Sequence, residues 1–166
     1  MNKPKIPFSC NWFDVVDDNG HYYISQSDGV AGAVVVAVLN DKLLFLEQSR
    51  IATGYTQTLE FPRGSRDEGE TPLDCAAREF REEIALDLTP TSFKYLGEVR
   101  PDTGLLSSRV AVFCVKASID ESTMDISDES VGFRLAPMAD IPNLLRSNAI
   151  TCGITLAALC LFQASE

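Results

Sequence analysis

Six residues, "VVVAVL" at 34 to 39, do most to restrict the fold. Successive side chains of a strand point to opposite faces, so a half-exposed strand alternates apolar with polar. Here no polar residue interrupts the run, and such a strand must be covered on both faces. Asn40 and Asp41 supply a tight turn, and Lys42 to Gln48 returns as a second strand. The chain therefore needs a sheet with helices packed on it. Its 166 residues, 45% apolar, are enough for one such core.

The remaining elements interleave irregularly. "HYYIS" after the "DDNG" turn at 17 to 20 is a strand, and residues 1 to 28 form a polar, turn-rich N-terminal arm containing one hairpin. "TQTLEFP" is a short strand stopped by Pro62, and "RGSRDEGE" after it is a loop. "SFKYLGEVR", "SRVAVFCVKA" and "SVGFRLAP" are further strands. "MADIPNLLRSNAI" and "ITLAALCLFQAS" are two helices, the last docking through Ile154, Leu156, Ala157, Leu159, Cys160 and Leu161. The expectation is a mixed α/β chain with an arm over 1–28 and a main domain over 29–166.

A net charge of −10 argues against a nucleic-acid partner, which needs a basic face. The run 150 to 162 is too short to span a membrane, and "MNKPKIPFSCNWF" lacks the apolar stretch of a secretory signal. Cys10, Cys75, Cys114, Cys152 and Cys160 include no CxxC pair, and His21 is the only histidine. Free, mostly buried thiols in a reducing, cytoplasmic compartment are expected rather than a zinc site.

A helix begins after the glycine loop. Thr71 caps it, Pro72 suits its first position, and Leu73, Ala76, Ala77, Phe80 and Ile84 recur as its apolar face. At about 100° per residue, Glu79, Glu82 and Glu83 are then expected to share the outward face. Three carboxylates on one turn repel, with Arg78 and Arg81 as the nearest counter-charges. A bound divalent cation would remove the conflict, because hard cations take oxygen ligands. A solvated acidic face is the alternative.

The wider spacing decides between them. Gly64 is followed after five residues by Glu70, and after seven more by Arg78, Glu79 and Phe80; Glu82 and Glu83 follow, then Ala85 and Leu86. This resembles the Nudix box, G-x5-E-x7-R-E-U-x-E-E-x-G-U, at every position except Ala85, where the box has glycine. The resemblance implies a Nudix-type α/β/α sandwich with a mixed β-sheet, the box forming a loop-helix-loop, and Mg²⁺ or Mn²⁺ as cofactor. It implies metal contacts from Glu79, Glu82, Glu83 and the Arg63 carbonyl. Glu70 would brace the loop or touch metal-bound water, and Arg78 would orient a glutamate.

"LEFPRG", Pro101 sixteen residues after Ala85, Gly104 in the same "RPDTG" turn, and the final helix are similar to ADP-ribose and ADP-sugar pyrophosphatases. That similarity implies a small nucleoside diphosphate derivative as substrate and a homodimer whose N-terminal arms help form the site. A base from a late loop is also implied; Glu129 is the first candidate, ahead of Asp128, Asp125 and Glu121. Arg50 and Arg63 could hold phosphates, and Trp12, Phe13, Tyr22 or Tyr23 could stack on a base. Other Nudix substrates, such as nucleoside triphosphates or dinucleoside polyphosphates, and a non-catalytic nucleotide sensor remain alternatives.

Overall fold

The computed structural model describes residues 3–26, 30–127 and 130–166. Two sheets are present among them. The smaller comprises β1 (Lys5–Ser9), β2 (Asp14–Asp18) and β3 (His21–Ser25), antiparallel in that order. Asn19 and Gly20, both at positive φ, make the β2–β3 turn, as "DDNG" anticipates. β1 was not anticipated: Pro7 stands in the middle of its "KIPFS", and all five residues are exposed. The small sheet reaches the rest of the chain through β3, where Ile24 donates to the Leu105 carbonyl at 2.7 Å and accepts from Ser107 at 3.0 Å.

The larger sheet has seven strands. β10 (Gly132–Pro137), β5 (Lys42–Ser49), β4 (Val30–Leu39), β9 (Arg109–Ala117) and β8 (Lys94–Val99) lie side by side in that order, with β6 (Gln57–Glu60) on β5 and β7 (Arg63–Ser65) on β4. β4 and β9 are parallel and the other pairs antiparallel, so the sheet is mixed. The β4–β5 turn places Asn40 and Asp41 at φ 48° and 63°. Asn40 also exchanges two hydrogen bonds with the Ile119 backbone, which pins that turn.

β4 is covered on both faces, as its composition requires. Ala33, Val35, Ala37 and Leu39 pack with Phe80 and Ile84 of α1 (Pro72–Ile84). Val34 and Val36 pack on the other side with Phe45, Phe61, Ile141 of α2 (Ile141–Arg146), and Ala158, Leu159 and Phe162 of α3 (Gly153–Ala164). The result is the expected α/β/α sandwich. Within it Phe45 stacks on Phe61 at 4.7 Å, and Phe80 meets Phe93 edge-on at 5.7 Å.

Three expectations need correction. Residues 63 to 65 are not loop but β7, pairing with Gly32, Ala33 and Val34. A three-residue strand containing glycine carries no periodic signal; β7 fits because β5 pairs with β4 only at Val38 and Leu39 and leaves Gly32 to Val34 to it. Cys160 does not dock α3; it is exposed, and Thr155, Ala158, Leu159 and Phe162 are the buried residues of that helix. With Cys10 also exposed and Cys152 intermediate, only Cys75 and Cys114 of the five thiols are buried, fewer than expected. Finally, Glu79, Glu82 and Glu83 do not share one outward face. The Glu79 and Glu82 side chains are 15% and 54% exposed and Glu83 as a residue is 7% exposed, a gradient around the helix. At about 100° per residue Glu83 falls close to Ala76, two turns back, on the flank of the apolar stripe.

α1 begins as its sequence dictates: the Thr71 hydroxyl accepts from the Asp74 N–H at 3.2 Å, and Pro72 occupies the first turn. It ends on Ala85 at φ 55°, whose N–H bonds the Arg81 carbonyl at 2.9 Å. Alanine thus adopts the left-handed cap that the family pattern gives to glycine. Ala85→Gly is expected to stabilise the protein by about 1 kcal/mol by removing the Cβ penalty, with turnover unchanged. Urea unfolding at equal m-value reads this directly.

Candidate active site

Arg78 organises the box. Its Nε and Nη2 donate to the two oxygens of Glu70 at 2.9 Å each, and Nη2 also to the Ser65 carbonyl at 2.8 Å. Its Nη1 donates to Glu79 at 2.7 Å and to Glu82 at 3.1 Å. Glu70 also accepts the Asp67 N–H at 3.0 Å, closing the glycine loop on itself. One guanidinium therefore locks the loop onto the helix. Its hydrogen bonds hold the Glu70 carboxyl below the usual carboxylate range.

The other carboxylates move the opposite way. Burial raises Glu79, against the pull of Arg78. Burial pushes Glu83 up to about 8, opposed by the Arg63 N–H, which it accepts at 2.9 Å. A carboxyl so placed resists ionisation unless positive charge is brought to it. Gly64 is what allows the close packing. A Cβ there would lie 2.0 Å from the Glu79 carboxylate, and a Cβ on Gly32, across the ladder, would lie 2.1 Å from the Gly64 carbonyl oxygen. Cys75 lies beneath, its thiol directed at that same carbonyl at 3.8 Å.

Glu79, Glu82 and Glu83 line one cavity of about 500 Å³ together with Trp12, Arg50, Arg63, Gly64, Ser65 and Ser127. The carboxylates suit a hard divalent cation in type, and the missing Cβ of Gly64 lets the Glu79 carboxylate lie against the β7 backbone. As they stand, no three Asp, Glu, His or Cys side chains among the described residues are gathered closely enough to grip one. Arg78 holds Glu79 and Glu82 instead.

Arg50 and Arg63 enter the cavity as expected, but each is anchored by Glu60, a buried carboxylate that the sequence did not single out. Of the four aromatic candidates, Trp12 lies on the cavity wall; Phe13 packs on Phe8 at 5.9 Å. Pro101 lines a smaller cavity of about 220 Å³ that shares Arg63, Gly64 and Ser65 with the first. Gly104 lines neither; it is exposed, and its N–H bonds Asp102. Glu121 is also remote, paired with Lys42 at 3.5 Å. The late loop runs along the end of α1, where Asp125 and Ser127 donate to the Ile84 and Glu83 carbonyls. Asp128 and Glu129 lie outside the described residues. Gly32 and Ser127 were not anticipated. A glycine inside an apolar strand, between Ala31 and Ala33, was the available signal for Gly32; Ser127 had none.

A NUDIX domain model matches residues 30–151, most of the chain. The chain belongs to the Nudix family. The loop and helix locked by Arg78 are this Nudix protein's box, and the match begins with β4 and ends just before α3. The fold is also similar to the crystal structure of an ADP compounds hydrolase, with a TM-score of 0.69 and 19% identity over 99% of this chain and 94% of that one. Among the described residues no helix is long and apolar enough to cross a membrane.

Proposed function

We propose that this Nudix pyrophosphohydrolase splits the pyrophosphate of a nucleoside diphosphate derivative, ADP-ribose or an ADP-sugar, into AMP and a sugar phosphate. One observation carries the reading: a single cavity is lined by three box carboxylates and by two arginines, with an exposed tryptophan on its wall. Carboxylates suit a cation, arginines suit phosphate oxygens, and an indole face suits a base. The likeness to an ADP compounds hydrolase supports the adenine nucleotide over other substrates.

Glu79, Glu82, Glu83 and the Arg63 carbonyl would hold Mg²⁺ or Mn²⁺, with Glu70 bracing the loop through Arg78. The cation would neutralise phosphate charge and lower the pKa of water. Arg50 and Arg63 bind and orient the diphosphate, while Pro101 and Gly104 are assigned to the substrate on the family pattern. Glu129 as base rests on the sequence pattern alone. Residues 1 to 28 form the contact of a homodimer, a proposal supported by Ile6, Phe8 and Tyr22, each more than half exposed on the small sheet. A soluble cytoplasmic setting fits five free thiols.

Product analysis tests the reading. Incubation with ADP-ribose and Mg²⁺ is expected to yield AMP and ribose 5-phosphate, and a chelator is expected to stop it. Light scattering on the same sample reads the assembly, and a monomer would remove the dimer. No products with any divalent metal would exclude ADP-ribose; triphosphates and dinucleoside polyphosphates would then be assayed. Binding without turnover of any of them would make the protein a sensor.

A further inference from the structure

Glu60 accepts three hydrogen bonds on one oxygen. Arg50 Nη2 donates to Oε2 at 3.0 Å, and Arg63 donates to it through Nη2 at 3.0 Å and Nε at 3.2 Å. The carboxylate is 3% exposed, at the end of β6, while the two arginine side chains are 35% and 28% exposed and line the large cavity. One arginine would neutralise a buried carboxylate. Two on the same oxygen leave the trio with one positive charge in surplus, directed into a cavity whose other charged lining is Glu79, Glu82 and Glu83.

The arrangement is also unsaturated. A guanidinium carries five N–H donors. Arg50 Nε is buried with no hydrogen-bond partner among the described residues, and so is the Ser127 hydroxyl oxygen of the same cavity. Buried polar atoms are normally partnered, and orphans at a cavity call for a reason.

We propose that Glu60 is a positioning residue that gathers Arg50 and Arg63 into a paired clamp for a diphosphate. It holds both guanidiniums from the buried side and leaves their other donors for an anion on the cavity side. A monophosphate can be satisfied by one guanidinium. A diphosphate, with oxygens on two phosphorus atoms, uses both, and their separation then matters. Glu60 does not touch the substrate and acts only through the two arginines. The inference rests on the pyrophosphatase reading for its ligand.

The test compares wild type with Glu60→Gln by calorimetric titration of the α,β-methylene analogue of ADP-ribose, which cannot be cleaved, and of AMP. Loss of the shared anion is expected to weaken the analogue about tenfold or more, a charge-assisted effect, and AMP by less than roughly threefold. In turnover the loss is expected in KM for ADP-ribose rather than in kcat. A general loosening of the fold would weaken both ligands alike, and that result, or unchanged affinity for both, overturns the proposal. Should Glu60→Gln fail to fold, Glu60→Asp, which withdraws the charge from the pair, is read by the same two titrations. Wild-type hydrolysis of ADP-ribose stands whatever Glu60 does, whereas a wild type that binds no analogue sinks both readings.

Discussion

Glu83→Gln is expected to lower turnover of ADP-ribose by about 10²–10⁴-fold and at the same time to raise the melting temperature of chelator-treated protein at pH 8. The two effects have one cause. The Glu83 carboxyl is buried against β7, where it accepts the Arg63 N–H, and burial pushes it up to about 8. An unfolded glutamate titrates near 4.3. Between those values the folded chain holds a proton that the unfolded chain has lost, so stability falls as pH rises from near 4.5 to 8. Above 8 both states are ionised and the full cost remains. Each unit of displacement corresponds to about 1.4 kcal/mol, so the cost at pH 8 is of the order of a few kcal/mol. Glutamine keeps an oxygen for the Arg63 N–H and carries no charge. The variant should therefore melt at or near the wild-type temperature at pH 5 and several degrees above it at pH 8, about 2–4 °C per kcal/mol for a chain of this size. Mg²⁺ should narrow the gap by stabilising only the wild type. Parallel melting curves at pH 5 and 8 would decide; a difference that does not grow with pH would place Glu83 in an ordinary solvated setting.

That coupling between burial and chemistry is what the sequence could not display. The helix itself was readable, because Thr71, Pro72 and the Leu73–Ile84 spacing are local signals that tertiary contacts did not override. So was β4, since a strand without polar residues has only one kind of environment. The box spacing identified the acidic residues, but helical periodicity treated Glu79, Glu82 and Glu83 as one face. What divides them is contact with β7, a strand too short to announce itself. Glu60 was hidden differently. A single glutamate in "LEFPRG" gives no sign that Arg50, ten residues earlier, folds back onto it. Long-range pairing of this kind depends on the β5–β6 register, which sets Leu46 opposite Glu60.

Gly64→Ala is expected to abolish most activity while leaving the fold largely intact. The added Cβ would meet the Glu79 carboxylate at 2.0 Å. That group is the end of a side chain, and side chains can move where backbone cannot. Its escape is opposed by Arg78, which grips Glu79 at 2.7 Å and is itself fixed by Glu70 and Ser65. The cheapest adjustment turns Glu79 away and breaks that one bond. A reacting group displaced by about 1 Å can cost 10²-fold in rate, so a loss of at least that size is expected. Gly32→Ala sets the contrast. Its Cβ would meet the Gly64 carbonyl oxygen, a backbone atom of β7, at 2.1 Å. Relief there requires β7 to leave β4, breaking the pairing that places Arg63 and Gly64 beside α1. Gly32→Ala should therefore lose stability and activity together, at a cost of about 1–3 kcal/mol typical of overpacking. Measured side by side, the two variants should differ: Gly64→Ala inactive with a near-wild-type melting temperature, Gly32→Ala clearly destabilised. Equal destabilisation would show that Glu79 cannot yield independently of the strand, and that Arg78 fixes the carboxylate as firmly as the ladder fixes β7.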